Sequence, residues 1–370
     1  MRRRGKTIWT LLAAILFAVI GLAIWHATPA RIAGVLELSP VNSRQNQQAP
    51  LQAPLASADL LIAPAELSQA PTERSLAKFD GQRSYSYLKA LCELGNRMSG
   101  SEGMQQQQKL LEKHFVDLGA QVEYQRFKVK HPLNGKRVPM ANLIVQWRPE
   151  ARERLLLCAH YDTRPLPDRE IIRRLRANGL FVGANDGASG VALLMELSHH
   201  VAGMALNIGL DFVLFDGEEL VYFDYDRNRD QGHYFAGSTW FARRYLQHPP
   251  HYKYTAGVLF DMVADTKLTL YQEENSATWK ETRPLVKEIW GTAERLGITE
   301  FIPRVKYKVN DDHLPLNQIA KIPVCDIIDF EYPDPSNRFW HTTGDAPGRC
   351  SAESLGKVGT VILEWLSTRR

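Results

Sequence analysis

The stretch VNDDHLPL, Val309 to Leu316, sets two aspartates directly before a histidine, a combination that suits a metal site, proton-transfer machinery or a charged turn. Other acids and histidines recur in similarly marked places. The apolar run LLLCAH ends at His160, with Asp162 just beyond, and DFVLFD ends at Asp216 before Gly217, Glu218 and Glu219. AGVLFD ends at Asp261, and PVCDIID carries Asp326 and Asp329. GANDGASG holds Asp186, and FWHTTGD holds His341. Taken singly, each reads as a helix cap, turn or solvated loop. Together they suit zinc, which takes carboxylate and imidazole ligands and, in catalytic sites, keeps one position open beside three protein ligands. Adjacent Glu218 and Glu219 allow one to coordinate while its neighbour moves protons.

Such residues must be brought together by the elements that carry them. Helix-like stretches (EGMQQQQKLLEKHFVDLG, VALLMELSHHVAG, TRPLVKEIWGTAERLG) alternate with short apolar runs (ANLIVQW, RLLLCAH, GLDFVLFD, TAGVLFD, PVCDIID). Short apolar runs between helices imply strands buried on both faces. The expected fold is therefore α/β, a single catalytic domain with a largely parallel, mixed central sheet flanked by helices. In an open α/β sheet the carboxyl ends of the strands share one edge, where ligands bind. Acids far apart in sequence thereby converge.

The chain has 370 residues, 44% of them hydrophobic, and a net charge of +4. Arg2, Arg3, Arg4 and Lys6 supply that excess, so no nucleic-acid-binding surface is indicated. Thr7 to Trp25 is uncharged and, as a helix, would reach about 28 Å, close to the hydrocarbon thickness of a bilayer. Residues 1–30 are expected to be a signal anchor with its basic end in the cytoplasm, or else a cleaved signal peptide. Either places the remainder outside that compartment, membrane-anchored or secreted. Residues 31–76, rich in Gln, Ala, Pro and Ser, suit a tether, and 77–370 the catalytic domain. Cys92, Cys158, Cys325 and Cys350 form no CxxC pair. Cys158 and Cys325 sit in apolar runs as small hydrophobes, and one bridge between some pair stays open.

HYDT (160–163), GANDGASGVALLMEL (183–197), FDGEE (215–219), LFDMV (259–263), NDDHLP (310–315) and FWHTTGD (339–345) resemble, in order, the motifs of the M28 zinc peptidase family. That resemblance implies one of two chemistries. In the two-zinc aminopeptidases the positions of His160, Asp186, Glu219, Asp261 and His341 bind metal, and that of Glu218 is general base. In the glutaminyl cyclases one zinc is held at the positions of Asp186, Glu219 and His341, while those of Glu218, Asp261 and Asp311 form an acidic cluster.

Asp311 bears on the choice, because the aminopeptidases usually carry serine there and the cyclases carry DDH. Three carboxyls in one pocket cannot all stay ionised, so they would share protons, and Asp261 would be a poorer ligand for a second metal. Trp340, before the ligand His341, is expected beside a glutamine side chain, Asp162 to orient His160, and His313 to be structural. Either Tyr222, Phe223 or Tyr225 supplies an aromatic wall or the pocket is open to a different side chain, and the insertion Arg164–Leu180 reads as a solvated loop or short helix near the cleft. Asp326 stands where an animal cyclase has histidine, and GANDGASG is the peptidase-like form. The expected function is a single-zinc glutaminyl-peptide cyclotransferase acting on peptide or protein N-termini. The alternatives are a two-zinc aminopeptidase and an inactive binding ectodomain.

Overall fold

A computed structural model describes residues 78–369, all within one compact unit, Pro71–Arg370. The apolar segment Thr7–Trp25 and the tether 31–76 lie outside the described residues. Among the described residues no helix is long and apolar enough to cross a membrane.

The unit opens with α1 (Gly81–Glu93) and α2 (Glu102–Asp117), whose first turns are capped by the side chains of Asp80 and Ser101. The hairpin β1 (Gln121–Lys130) and β2 (Arg137–Trp147) follows, then β3 (Glu153–His160), the short α3 (Arg173–Asn178) and α4 (Ala188–Val201). Next come β4 (Gly209–Phe215), the hairpin β5 (Glu219–Asp224) and β6 (Arg229–Tyr234), α5 (Ala236–Gln247) and β7 (Lys253–Asp261). The chain closes through β8 (Leu270–Gln272), α6 (Glu274–Thr278), α7 (Arg283–Arg295), β9 (Phe301–Val305), α8 (His313–Pro315), β10 (Val324–Ile328) and α9 (Ala352–Ser367). A π-helical turn, Leu316–Ala320, continues α8.

Six strands form the central sheet in the order β1-β2-β4-β3-β7-β10. The block β4-β3-β7-β10 is parallel, and β1 and β2 add an antiparallel edge, so the sheet is mixed. ANLIVQW does form a strand, but it runs against β4. Alternate residues of β3 enter opposite layers, as a pleated strand buried on both faces requires. Leu155, Leu157 and Ala159 join the core shared with α1, α4, α7 and α9, whereas Leu156 and Cys158 pack towards α5. All four cysteines are buried and unpaired, so no bridge forms.

At the amino end of the strands Arg154 is fully buried. Its Nε donates to Asp211 at 3.0 Å, and its two terminal nitrogens donate to the carbonyls of Arg148 and Trp147 at 2.6 and 2.9 Å. Asp211 also accepts from Tyr254 at 2.5 Å. Removing one partner of such a pair strands a buried charge. Arg154→Met is therefore expected to lower the unfolding free energy by about 3–5 kcal/mol in urea denaturation; a loss under about 1 kcal/mol would contradict the assignment.

Candidate metal-dependent active site

The parallel block puts the carboxyl ends of β4, β3, β7 and β10 on one edge, with His160 opposite Phe215 and Asp261 opposite Ile328. Above that edge opens a cavity of about 370 Å³, whose lining includes Asp186, Glu218, Glu219, Asp261, Asp311, Trp340 and His341. Local backbone choices aim these side chains. Gly187, at φ +100°, brings the Asp186 loop so close that a Cβ would lie 2.9 Å from the Asp162 carbonyl and 3.2 Å from His160 Cε1. His341 itself is left-handed at φ 56°, uncommon for a side-chain-bearing residue, and its carbonyl is fixed by the Arg169 amide at 3.1 Å.

Two groups of potential ligands meet in the cavity: Asp186, Glu219 and His341, and His160, Asp186 and Asp261. In each, the donor atoms lie within 4.8 Å of one another. His341 Nε2 stands 2.9 Å from Glu219 Oε1 and 3.5 Å from Asp186 Oδ2. Asp186 Oδ2 is buried without a hydrogen-bond partner, a lone pair aimed at the centre of its group. A buried, anionic oxygen and imidazole set with an orphaned carboxylate oxygen fits a zinc ion. In the second group His160 Nε2 lies 3.3 Å from both Asp186 Oδ1 and Asp261 Oδ1. Asp186 belongs to both groups, one oxygen facing each.

Electrostatics separates the paired glutamates. Burial opposes ionisation of Glu219, yet His341 and Arg164 outweigh it and hold its pKa at about 2. For Glu218, burial together with the charge of Glu219 outweighs the nearby His160 and pushes its pKa well above the ordinary carboxyl range. The two adjacent glutamates are thus shifted in opposite directions. Asp162 fixes both, accepting the amides of Glu218 at 3.1 Å and Glu219 at 3.0 Å, while its carboxylate stands 3.8 Å from His160 Nδ1. Burial, and then the neighbouring charge of Asp261, likewise raises Asp311. Its Oδ1 accepts the Asp312 amide at 2.5 Å, and its Oδ2 has no partner. His313 is fully buried outside the cavity lining, its nitrogens 3.5 Å from Glu273 and 3.6 Å from Asp326. Asp329 is spent on Thr269 and the Glu331 amide.

Other residues work here without having stood out in the sequence. Asp345 accepts the amides of Asn185 and Asp186 at 2.8 and 3.1 Å, clamping the ligand loop. Buried Arg97 donates to the carbonyls of Val182 and Gly183 at the start of that loop. The insertion is only partly solvated, because Arg164 is 2% exposed and its Nη1 lies 3.0 Å from Glu219 Oε1, with its amide 3.0 Å from Oε2. Asp168, bonded to Arg164 Nε at 2.8 Å, stands 3.5 Å from His341 Nδ1. The aromatic wall consists of Tyr234, Phe235, Phe330 and Trp340. Tyr222, Phe223 and Tyr225 lie elsewhere: Tyr222 packs with His131, and Phe223 with Tyr225, because β5 carries them away from the cleft.

The chain is similar to known proteins over most of its length. It is 25% identical to a glutaminyl-peptide cyclotransferase-like protein of Mus musculus across 81% of this chain and 79% of that one. The crystal structure of Fimbriiglobus ruber glutaminyl cyclase superposes with a TM-score of 0.75 at 37% identity, covering 82% of this chain and 100% of the other. A Zn-dependent exopeptidase from Parabacteroides distasonis superposes with a TM-score of 0.71 at 26% identity, covering 80% and 100%. Residues 142–366 match the family model of Peptidase family M28, and the chain belongs to that family.

Proposed function

We propose that this protein is a zinc-dependent glutaminyl-peptide cyclotransferase, converting N-terminal glutamine of peptides to pyroglutamate with release of ammonia. The observation that carries this reading is Asp311, which shares the cavity with Glu218 and Asp261 beside the Asp186–Glu219–His341 group. A carboxyl at that position surrounds Glu218 with proton-sharing acids. The glutaminyl cyclases among its structural relatives support the same reading.

Asp186, Glu219 and His341 would hold one zinc ion, which when bound polarises a substrate carbonyl. The substrate's α-amine attacks the γ-carbonyl carbon of its own side chain, forming the ring C–N bond as the bond to the amide nitrogen breaks. Glu218 accepts the proton of the amine and returns it to the departing nitrogen, so ammonia leaves neutral and the carboxylate is restored. Asp261 and Asp311 keep Glu218 within reach of both protonation states. Trp340, over His341 at a ring separation of 4.0 Å, forms with Phe330 a wall against which the glutamine side chain packs, excluding competing water. Because the attack is intramolecular, holding the chain bent supplies much of the acceleration.

A second reading, a two-zinc aminopeptidase, is favoured by one observation: His160, Asp186 and Asp261 form a second complete donor group. We place the catalytic domain at residues 77–370, carried on the tether 31–76 and an anchor within 1–30 that displays it outside the cytoplasm.

Incubated with a peptide bearing N-terminal Gln, the zinc-loaded protein should yield a product lighter by one ammonia in mass spectrometry. Loss of the first residue, with about two zinc ions per chain by elemental analysis, would establish the aminopeptidase instead. Glu218→Gln should lower kcat by about 10²–10⁴-fold with zinc content unchanged; retained activity would refute the proton-transfer role. Arg164→Met releases Glu219 from its guanidinium and should change zinc affinity, read by chelator competition, by about 10–100-fold. An unchanged affinity would show that Arg164 only packs.

A further inference from the structure

The insertion between His160 and Asp186 ends in a feature that the chemistry of the cavity does not use. Its base is rigid, with Arg164 buried, Asp168 against His341, and Glu170 accepting the amide and hydroxyl of Thr343 at 3.1 and 2.6 Å. Its tip, IIRRL from Ile171 to Leu175, is exposed at every position. Ile171 is 91% and Ile172 58% exposed, with Leu175 at 36% and Leu180 at 58%. Ile171 and Ile172 lead into the short α3, whose first residues are Arg173, Arg174 and Leu175, so exposed aliphatic and guanidinium groups stand side by side over five consecutive residues.

The charge of this tip is uncompensated. Among the described residues, the insertion's ion pairs involve Arg164 and Asp168, leaving Arg169, Arg173, Arg174 and Arg176 without a carboxylate partner. Arg169 stacks on Trp340 at 4.6 Å and Arg176 on Tyr225 at 4.3 Å, which holds the cationic cluster against the folded body. Burying bare aliphatic side chains next to guanidinium groups needs an environment that is apolar in depth and anionic at its surface. A stable protein interface engages about 20–30 residues a side, far more than this five-residue tip presents. A lipid headgroup layer needs no matching shape: it takes the apolar tip among the acyl chains and the arginines among the phosphates.

We propose that the IIRRL tip docks the domain onto an anionic membrane surface, Ile171 and Ile172 entering the headgroup–acyl boundary and Arg173 and Arg174 pairing with lipid phosphates. This inference does not depend on which reaction the cavity performs.

All four native cysteines are buried, so a single introduced cysteine labels selectively. The full chain with Ile171→Cys, carrying an environment-sensitive NBD fluorophore, is reconstituted into vesicles of phosphatidylcholine with or without phosphatidylglycerol. In the anionic vesicles the emission should shift to the blue and be quenched by nitroxide-labelled lipid, and in neutral vesicles it should do neither. Adding Arg173→Gln and Arg174→Gln should lower the docked-to-undocked ratio about 25-fold, about fivefold per arginine. An equal melting temperature of parent and variant shows that the fold is intact. The proposal is overturned by no shift in anionic vesicles or by an equal shift in neutral ones. It is also overturned by a shift that arises in detergent with rising protein concentration or on adding a soluble acidic peptide, which would assign the tip to self-association or to peptide binding.

Discussion

What the rest of this structure answers to is the crowding of carboxylates at one end of a parallel sheet. Asp162, Asp186, Glu219, Asp311, Asp312, Asp326 and Asp345 are all buried there. Unpaired charges in such a place would cost more than the fold can return. Each acid is therefore answered differently. Asp162 and Asp345 take pairs of backbone amides, Glu219 takes a guanidinium and an imidazole, and Asp312 takes the Ser238 hydroxyl. Asp186, Asp311 and Asp312 each keep one oxygen unanswered, and Asp326 keeps both. Of these four, Asp186 and Asp311 line the cavity, so incomplete compensation there faces the space a ligand could enter.

The same accounting explains what the sequence disclosed. Strands ending at His160, Phe215, Asp261 and Ile328 were legible as apolar runs because burial on both faces leaves no room for polar residues. Their convergence followed from the parallel arrangement. The edge strand β1 was not legible, since QVEYQRFKVK is exposed or half-buried at all but Phe127 and carries no apolar run. The turn into β2 and the reversed direction of ANLIVQW depend on that unseen partner.

Within the site, residues that would touch metal or substrate were readable by type, whereas those that hold them were not. Arg164, Asp168 and Arg97 act through geometry that no local pattern encodes: a guanidinium in a charged insertion looks solvated until the chain folds back over Glu219. Tyr222, Phe223 and Tyr225, which follow the glutamates in sequence, do not line the cavity. Pairing of Glu219 with Tyr234 instead returns the hairpin so that Tyr234 and Phe235 face the cavity. Phe235, at φ 58°, makes that turn in the left-handed region, which composition does not announce.

Asp186 is a member of both potential ligand groups, presenting Oδ1 towards His160 and Oδ2 towards His341. Two positions joined through one carboxylate are thermodynamically linked: whatever charge an ion at one withdraws from Asp186 is lost to the other, by an equal free energy in either direction. An ion held by either group would therefore weaken the hold of the other, because both would draw on the same carboxylate.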